Sequence, residues 1–455
     1  MFSKKFLVLL LSSIYNVYMR KIEKILILLS LGIVDFLGAI DMTGLIISLP
    51  KISADLGLDV VTAQWIINAF TLALVSSMII FGKIGDRIGV KKLYMVGLLI
   101  FSISSLALGV TSNFYVIVAL RLIQGFGTAI LYSMSFAIIS HLWKNKEKAF
   151  SVTASLFAVG MLVGPLISGL FLLLNYGSFQ GWHFFFLMNV PFAIGGIIIG
   201  RKYIPALAPS SKEPVNFLNA LLLFCFFLFG MLFLIYGGIL FSVLSIISLV
   251  FLVIVENTWR VKTFDHPIFK HKNFIAANII SFLVTTASLG IAFALSFHFQ
   301  DNLHWNSVKT SLAVLPVPLA TILFAMISTN IRNKKLGAFL SSLLLLIGII
   351  YLWAFAESGS YFEHYFIPLL MIGAAAGILM TSVFATILDE SGQESYGFAS
   401  GILNTIQELG GLVGVVLVST RVTNLTSTFS VMLVCAVISI VISLFITNKP
   451  KAKNA

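Results

Sequence analysis

The chain has 455 residues, 59% of them hydrophobic and only 10% charged, against about 25% charged in ordinary soluble domains. A water-soluble fold cannot hide that much apolar surface, which leaves a polytopic membrane protein. The net charge of +12 is spread over loops rather than gathered in a patch. It therefore reads as membrane topology and not as a nucleic-acid surface.

The first 23 residues form a cytoplasmic N-terminal segment. Within it, "FLVLLLSSIYNVYM" (residues 6–19) is too short to span, and Lys4 and Lys5 before it imitate a signal peptide. No small-residue cleavage site follows, so Met19 is the expected start, or the run lies along the interface. Apolar stretches of about 20 residues then predict fourteen spans, near 24–49, 59–81, 93–111, 114–138, 148–173, 183–200, 216–236, 238–255, 273–297, 307–328, 336–356, 362–387, 396–419 and 428–446. Of the 29 lysines and arginines, all but Lys51, Lys309, Arg421 and the intramembrane Arg121 fall in loops on one side. A missed helix would invert every later loop, so this asymmetry supports the count and puts both termini in the cytoplasm. Cys225 and Cys435 lie in apolar runs and give no disulfide framework.

The connector "RKYIPALAPSSKEP" and the stretch "WRVKTFDHPIFKHKNF" divide the spans into six, two and six. The expected units are a six-helix bundle over 24–200, a connector with two extra spans over 201–272, a second six-helix bundle over 273–446 and a cytoplasmic tail over 447–455. Two pseudo-symmetric bundles around a central cavity are a common transporter plan.

Span 1, "LSLGIVDFLGAIDMTGLIISLP", carries Asp35 and Asp41. An acid at the centre of a lipid-embedded helix costs about 2.5–3.5 kcal/mol on insertion scales, so it marks function by default. Six residues apart, the two carboxylates point about 120° from each other; both can border one wide cavity, but they do not stack. Loop 2–3 reads "GKIGDRIGVKK". Gly82 and Gly89 permit a tight turn. Asp86, beside Arg87, can accept backbone N–H groups at a helix start, a latch suited to gating. Span 4 holds "LRLIQGFGTA". Its Arg121 lies at a depth matching Asp41, so the two pair if their helices are neighbours; otherwise Arg121 snorkels. Span 5 holds "GMLVGPLISG". Gly160, Gly164 and Ser168 share one face, which with Gly169 and the bend-prone Pro165 suggests a close, sliding contact between bundles.

In this order the motifs resemble those of the major facilitator superfamily. "GKIGDRIGVKK" looks like its loop 2–3 motif, and "LRLIQGFGTA" like its span 4 motif with Arg121, Gln124, Gly125 and Gly127. "GMLVGPLISG" is similar to the antiporter signature of span 5, with Ser168 replacing one usual glycine. Fourteen spans, with "IDMTGLIISLP", "QWIINAFTLA" and "ASGILNTIQELGGLVG", look like the fourteen-spanner drug:proton antiporter family, which exports quaternary ammonium compounds, quinolones, dyes and tetracyclines. Two departures stand out. Gln407 and Glu408 occupy positions where the family usually has Arg-Gln, and the loop 10–11 copy of the glycine motif is degraded to "NIRNKKLGA".

The third deep acid is Glu408 in span 13. Burial disfavours the charged form of any carboxyl, and a proton carrier needs an affinity that changes as access alternates. Asp41, Asp35, Arg121 and Glu408 are therefore the expected proton-coupling residues. Asp35 or Glu408, freed of its proton, attracts a cationic drug. Trp65, Asn68, Phe70, Gln124, Asn404 and Gln407 are the expected cavity lining, aromatic faces suiting organic cations. Asp389, Glu390 and Glu394 read as a solvated loop between spans 12 and 13. No nucleotide-binding glycine motif, zinc spacing or Asp-x-Asp pair is present, so the expected chain is not an enzyme. It uses no cofactor and draws on the proton gradient. Its partners are small-molecule drugs, protons and the lipid bilayer, without nucleic acid, and it works as a monomer in a bacterial-type cell membrane. The rival readings are a narrow exporter of tetracycline, lipid or metabolite, and a membrane-embedded transferase.

Overall fold

The computed structural model describes residues 4–143, 146–177, 179–207, 209, 214–258, 267–329, 331, 333–355, 360–422 and 424–447, with backbone alone for 4–21, 147, 175, 267, 388 and 391–398. His266, the side chain of Glu394 and the tail beyond 447 lie outside the described residues. Fourteen described helices are long and apolar enough to cross a membrane: Ile22–Leu56, Val60–Ile88, Val90–Leu108, Phe114–Leu142, Lys148–Phe171, Gly181–Tyr203, Phe217–Tyr236, Ile239–Thr258, Lys272–Asn302, Ser307–Ser328, Lys334–Phe355, Phe362–Ile387, Ala399–Ser419 and Leu425–Ser443. They are numbered spans 1–14 below. Among the described residues the fold is all-α apart from one short hairpin after span 5, with Asn175 opposite Gln180 and Tyr176 opposite Phe179.

Local chemistry sets the span ends. Asn113, Asn216, Asn306 and Asn424 precede spans 4, 7, 10 and 14. Each accepts a backbone N–H three residues on, from Val116, Asn219, Lys309 and Ser427. That is the N-cap bond a free helix end requires. Gly89, at φ +101°, breaks span 2 from span 3 in a conformation L side chains avoid. Helical backbone continues upstream of span 1 to Lys4, so the 6–19 run extends that helix.

Between spans 12 and 13 the structure corrects the expected loop: the backbone is helical throughout Ile367–Ser419. No proline interrupts the sequence between Pro368 and Ser419. Two of the acids there are tied down. Asp389 pairs with Lys334. Glu390 pairs with His271 at 3.1 Å and accepts from Asn273 Nδ2 at 3.0 Å. These contacts join the starts of spans 9 and 11 to the end of span 12.

Two six-span groups repeat one packing scheme. Span 5 lies along span 1, and span 13 lies along span 9. Gly160 and Gly164 give span 5 its close approach; a Cβ on Gly164 would sit 3.1 Å from Ile40 Cα. Gly410 and Gly414 do the same for span 13, with a Cβ on Gly410 2.6 Å from the Phe282 carbonyl oxygen. Small residues four apart allow backbones to touch where hydrocarbon offers no hydrophobic drive between helices. Gly125 against span 2 in the first group matches Gly373 and Gly377 against span 10 in the second. Span 7, from the remaining pair, packs against spans 2 and 13 through Met231, Leu72, Leu412 and Val416.

Among the described residues, most hydrogen bonds between the two groups gather on one side. Call the face where span 1 begins and span 14 ends the basic face. On the opposite side, Ser296 Oγ donates to the Ile46 carbonyl at 2.8 Å, and Gln300 Nε2 to the Ile47 carbonyl at 3.0 Å. Ser307 Oγ donates to the Gly169 carbonyl at 3.1 Å. There, apolar side chains of both groups join one continuous core, which within the second group runs on to the basic face at Phe274, Ala338 and Ile446. Nearer the basic face, the first group keeps a separate core of its own around Leu31, Tyr94 and Ile138.

Candidate functional site

Arg121 is the hub of the site. It is 1% exposed, which rules out snorkelling. Span 4 carries it against span 1, and the guanidinium meets Asp41 Oδ2 at 2.6 Å. Its Nε donates to the Ile66 carbonyl at 2.8 Å, and Nη1 also donates to Gln124 Oε1 at 2.6 Å. Gln124 in turn donates to Ser105 Oγ at 2.8 Å. The Phe70 ring lies 4.3 Å from the guanidinium carbon, a cation–π contact. One charge pair thus ties spans 1, 2, 3 and 4 together. Pairing and saturation with acceptors are what make a buried guanidinium tolerable. Asp41 Oδ1, also buried, has no hydrogen-bond partner, and an oxygen with free lone pairs is where a proton can attach.

The other two acids differ from Asp41 in being half-buried. Asp35 sits toward the basic face, beside Thr153 of span 5. Glu408, from span 13, lies within electrostatic reach of Asp41. The expected trio therefore converges, with two members from span 1 and one from the second group. Tyr132 stands among them, and the sequence reading did not single it out. Its hydroxyl rests on Gly38, where a Cβ would collide with it. Gly38 is three residues from both Asp35 and Asp41, and Glu408, Asp35 and Asp41 all act electrostatically on the phenol. A signal existed: eleven residues beyond Arg121 is three helical turns, which puts Tyr132 on the same face of span 4.

The expected lining residues scatter more. Phe70 and Gln124 belong to the arginine cluster. Asn68 is fully buried; its amide donates to Gln64 Oε1 at 3.1 Å and its own carbonyl oxygen has no partner. Gln407 donates to Ser281 Oγ at 3.1 Å, and Asn404 is half-buried nearby on span 13. Trp65 packs against the cluster shared with span 7. Close by, Thr405 Oγ1 donates to Met78 Sδ at 3.5 Å, linking spans 13 and 2.

The span 5 motif needs a correction. Its small-residue face was expected between the bundles. Gly160 and Gly164 instead meet span 1 of the same group, and Ser168 Oγ lies 2.6 Å from Ser48 Oγ, also on span 1. Gly169 alone among them faces the other group, against Ser307 and Ser311 of span 10. The reason is rotational: a four-residue stripe keeps one azimuth, and the next residue turns about 100° away. Pro165 lies inside the helix. The expected loop 2–3 also shrinks: Gly82, Asp86 and Arg87 lie within the helix of span 2, Asp86 in its last turn, and Gly89 alone makes the turn. Gly82 has nothing near its missing Cβ, Asp86 is half-buried and Arg87 is exposed.

Buried charges enclosed by two repeated six-helix groups, sealed to each other on one side, define a membrane transporter fold. A family model described as Major Facilitator Superfamily matches residues 31–415 and 277–455, and the chain belongs to that superfamily. It is 25% identical to the riboflavin transporter RibZ of Clostridioides difficile over 86% of each chain. It is also 25% identical to the methylenomycin A resistance protein of Streptomyces coelicolor, over 83% of this chain and 82% of that one. Among solved structures, a bacterial homolog of the human lysosomal transporter Spinster, inward-facing and unoccupied, superposes with a TM-score of 0.67. It covers 92% of this chain and 96% of that chain at 14% identity.

Proposed function

We propose that the chain is a proton-coupled antiporter of the fourteen-spanner drug:proton type. It exports amphipathic, often cationic compounds across a bacterial-type cell membrane by alternating access, with the basic face and both termini cytoplasmic. The observation that carries this reading is the sealed Asp41–Arg121 pair with one unpartnered carboxylate oxygen, beside two half-buried acids contributed by both groups.

With the seal on the outer side, Asp35 and Glu408 meet cargo from the cytoplasm. A deprotonated carboxylate there attracts a cation strongly, because little water screens it. After the groups rock, protons from outside neutralise the acids and the cation leaves. A proton on Asp41 Oδ1 removes the charge that holds Arg121 and leaves the guanidinium to Gln124 and the Ile66 carbonyl. The packing of spans 1 to 4 then depends on protonation. Each proton moving down 100 mV supplies about 2.3 kcal/mol.

Ethidium efflux in inverted vesicles tests this, with Asp35→Asn, Asp41→Asn and Glu408→Gln made separately. Expected are collapse of wild-type transport by a protonophore and loss in at least the Asp41 variant. Transport indifferent to the protonophore rejects proton coupling; normal efflux in all three variants rejects the acids. The riboflavin-transporting relative favours a second reading, a narrow metabolite carrier. Saturable riboflavin transport with no ethidium efflux would select it.

A further inference from the structure

Span 3 carries a stripe that neither the bundle core nor the acid cluster uses. Lys92, Val96 and Leu99 recur at i, i+4 and i+7 and share one face of the helix. They line an open groove of about 450 Å³ at the basic face, bounded on its far side by Ala206, Leu207 and Pro209, just beyond span 6. Val96 and Leu99 are 38% and 49% exposed. Lys91, at the top, donates to the Arg201 carbonyl at 2.9 Å, and Lys202 lies 5.0 Å from the Tyr203 ring. Among the described residues, no carboxylate stands within ion-pair distance of Lys91, Lys92, Arg201 or Lys202. The groove itself therefore holds two uncompensated cations, Lys91 and Lys92, with the exposed Arg201 and Lys202 on the neighbouring end of span 6. Its floor turns apolar one to two helical turns deeper, about 6 to 10 Å along the axis.

We propose that this groove binds an anionic phospholipid, with its phosphate at Lys91 and Lys92 and an acyl chain along Val96 and Leu99. The charge favours an anion, and the apolar floor at membrane depth favours one with a hydrocarbon tail. A soluble phosphate would leave that floor bare, and a zwitterionic headgroup would bring an ammonium group to the lysines. Basic pockets between spans are a known way of holding anionic headgroups. The site is independent of the transported cargo.

The test is equilibrium binding of fluorescent phosphatidylglycerol to the purified full chain in neutral detergent. Unlabelled phosphatidylglycerol, phosphatidylcholine and inorganic phosphate serve as competitors. Phosphatidylglycerol alone is expected to compete. Lys92→Gln, which spares the Lys91 bond to Arg201, should weaken binding about five-fold, and Lys91→Gln with Lys92→Gln about thirty-fold. The same two-charge change at Lys270 and Lys272 should leave it within two-fold. Competition by inorganic phosphate, an equal loss in the Lys270/Lys272 variant, or unchanged affinity in Lys92→Gln would each overturn the proposal.

Discussion

Neutralising Asp41 tests whether the charge pair holds the first group together. Asp41→Asn keeps the side chain's shape but leaves Arg121, 2.6 Å away and 1% exposed, without a counter-charge. Removing one member of a buried pair costs roughly 3–5 kcal/mol. Two neutral acceptors remain, the Ile66 carbonyl and Gln124 Oε1, and the Phe70 face lies beneath. These place the cost at the lower end, about 3 kcal/mol. Arg121→Met should cost about as much by stranding the carboxylate. In the double variant neither charge is left, and replacing a buried pair with neutral groups is often close to neutral. The double should therefore be more stable than either single, with a coupling of at least about 3 kcal/mol. Equilibrium unfolding in mixed micelles, followed by helical circular dichroism, measures all four proteins. A single-variant cost under about 1 kcal/mol, or strictly additive losses, would refute the reasoning.

Three further outcomes are expected. Gly164→Val should destabilise by roughly 1–3 kcal/mol or more, because its Cβ would collide with Thr43 Oγ1 and press on the Ile40 backbone, which cannot turn aside; Gly401→Ala, with open space around it, should melt within about 0.5 kcal/mol of wild type. Thermal melts in detergent decide this, and equal melts would contradict the close-packed seam. Glu390→Gln should cost about 1–3 kcal/mol, since its carboxylate is 4% exposed and bonded to His271 and Asn273. Asp389→Asn, removing a pair whose acid is 65% exposed, should cost under about 1 kcal/mol in the same melts. Tyr132→Phe should leave stability within about 1 kcal/mol yet slow proton-driven ethidium efflux in inverted vesicles; an unaltered rate would remove the phenol from the site.

The sequence by itself determined the membrane class, the fourteen spans and the three deep acids. Each is a local property: a run of apolar residues is long enough to cross hydrocarbon or it is not, and a carboxylate inside such a run is conspicuous wherever the helix goes. The depth match between Asp41 and Arg121 was also legible, because residue count converts directly to rise along a helix. Azimuth and neighbour identity were not. Which helix faces the Gly160–Gly164 stripe, which tyrosine stands over Gly38, and how Asp389 and Glu390 are tied all depend on contacts between residues far apart in the chain. In a bundle where nearly every helix is apolar all round, periodicity marks no inward face. The partner of each buried polar group is settled only when the helices cross and the unsatisfied donors and acceptors must find one another.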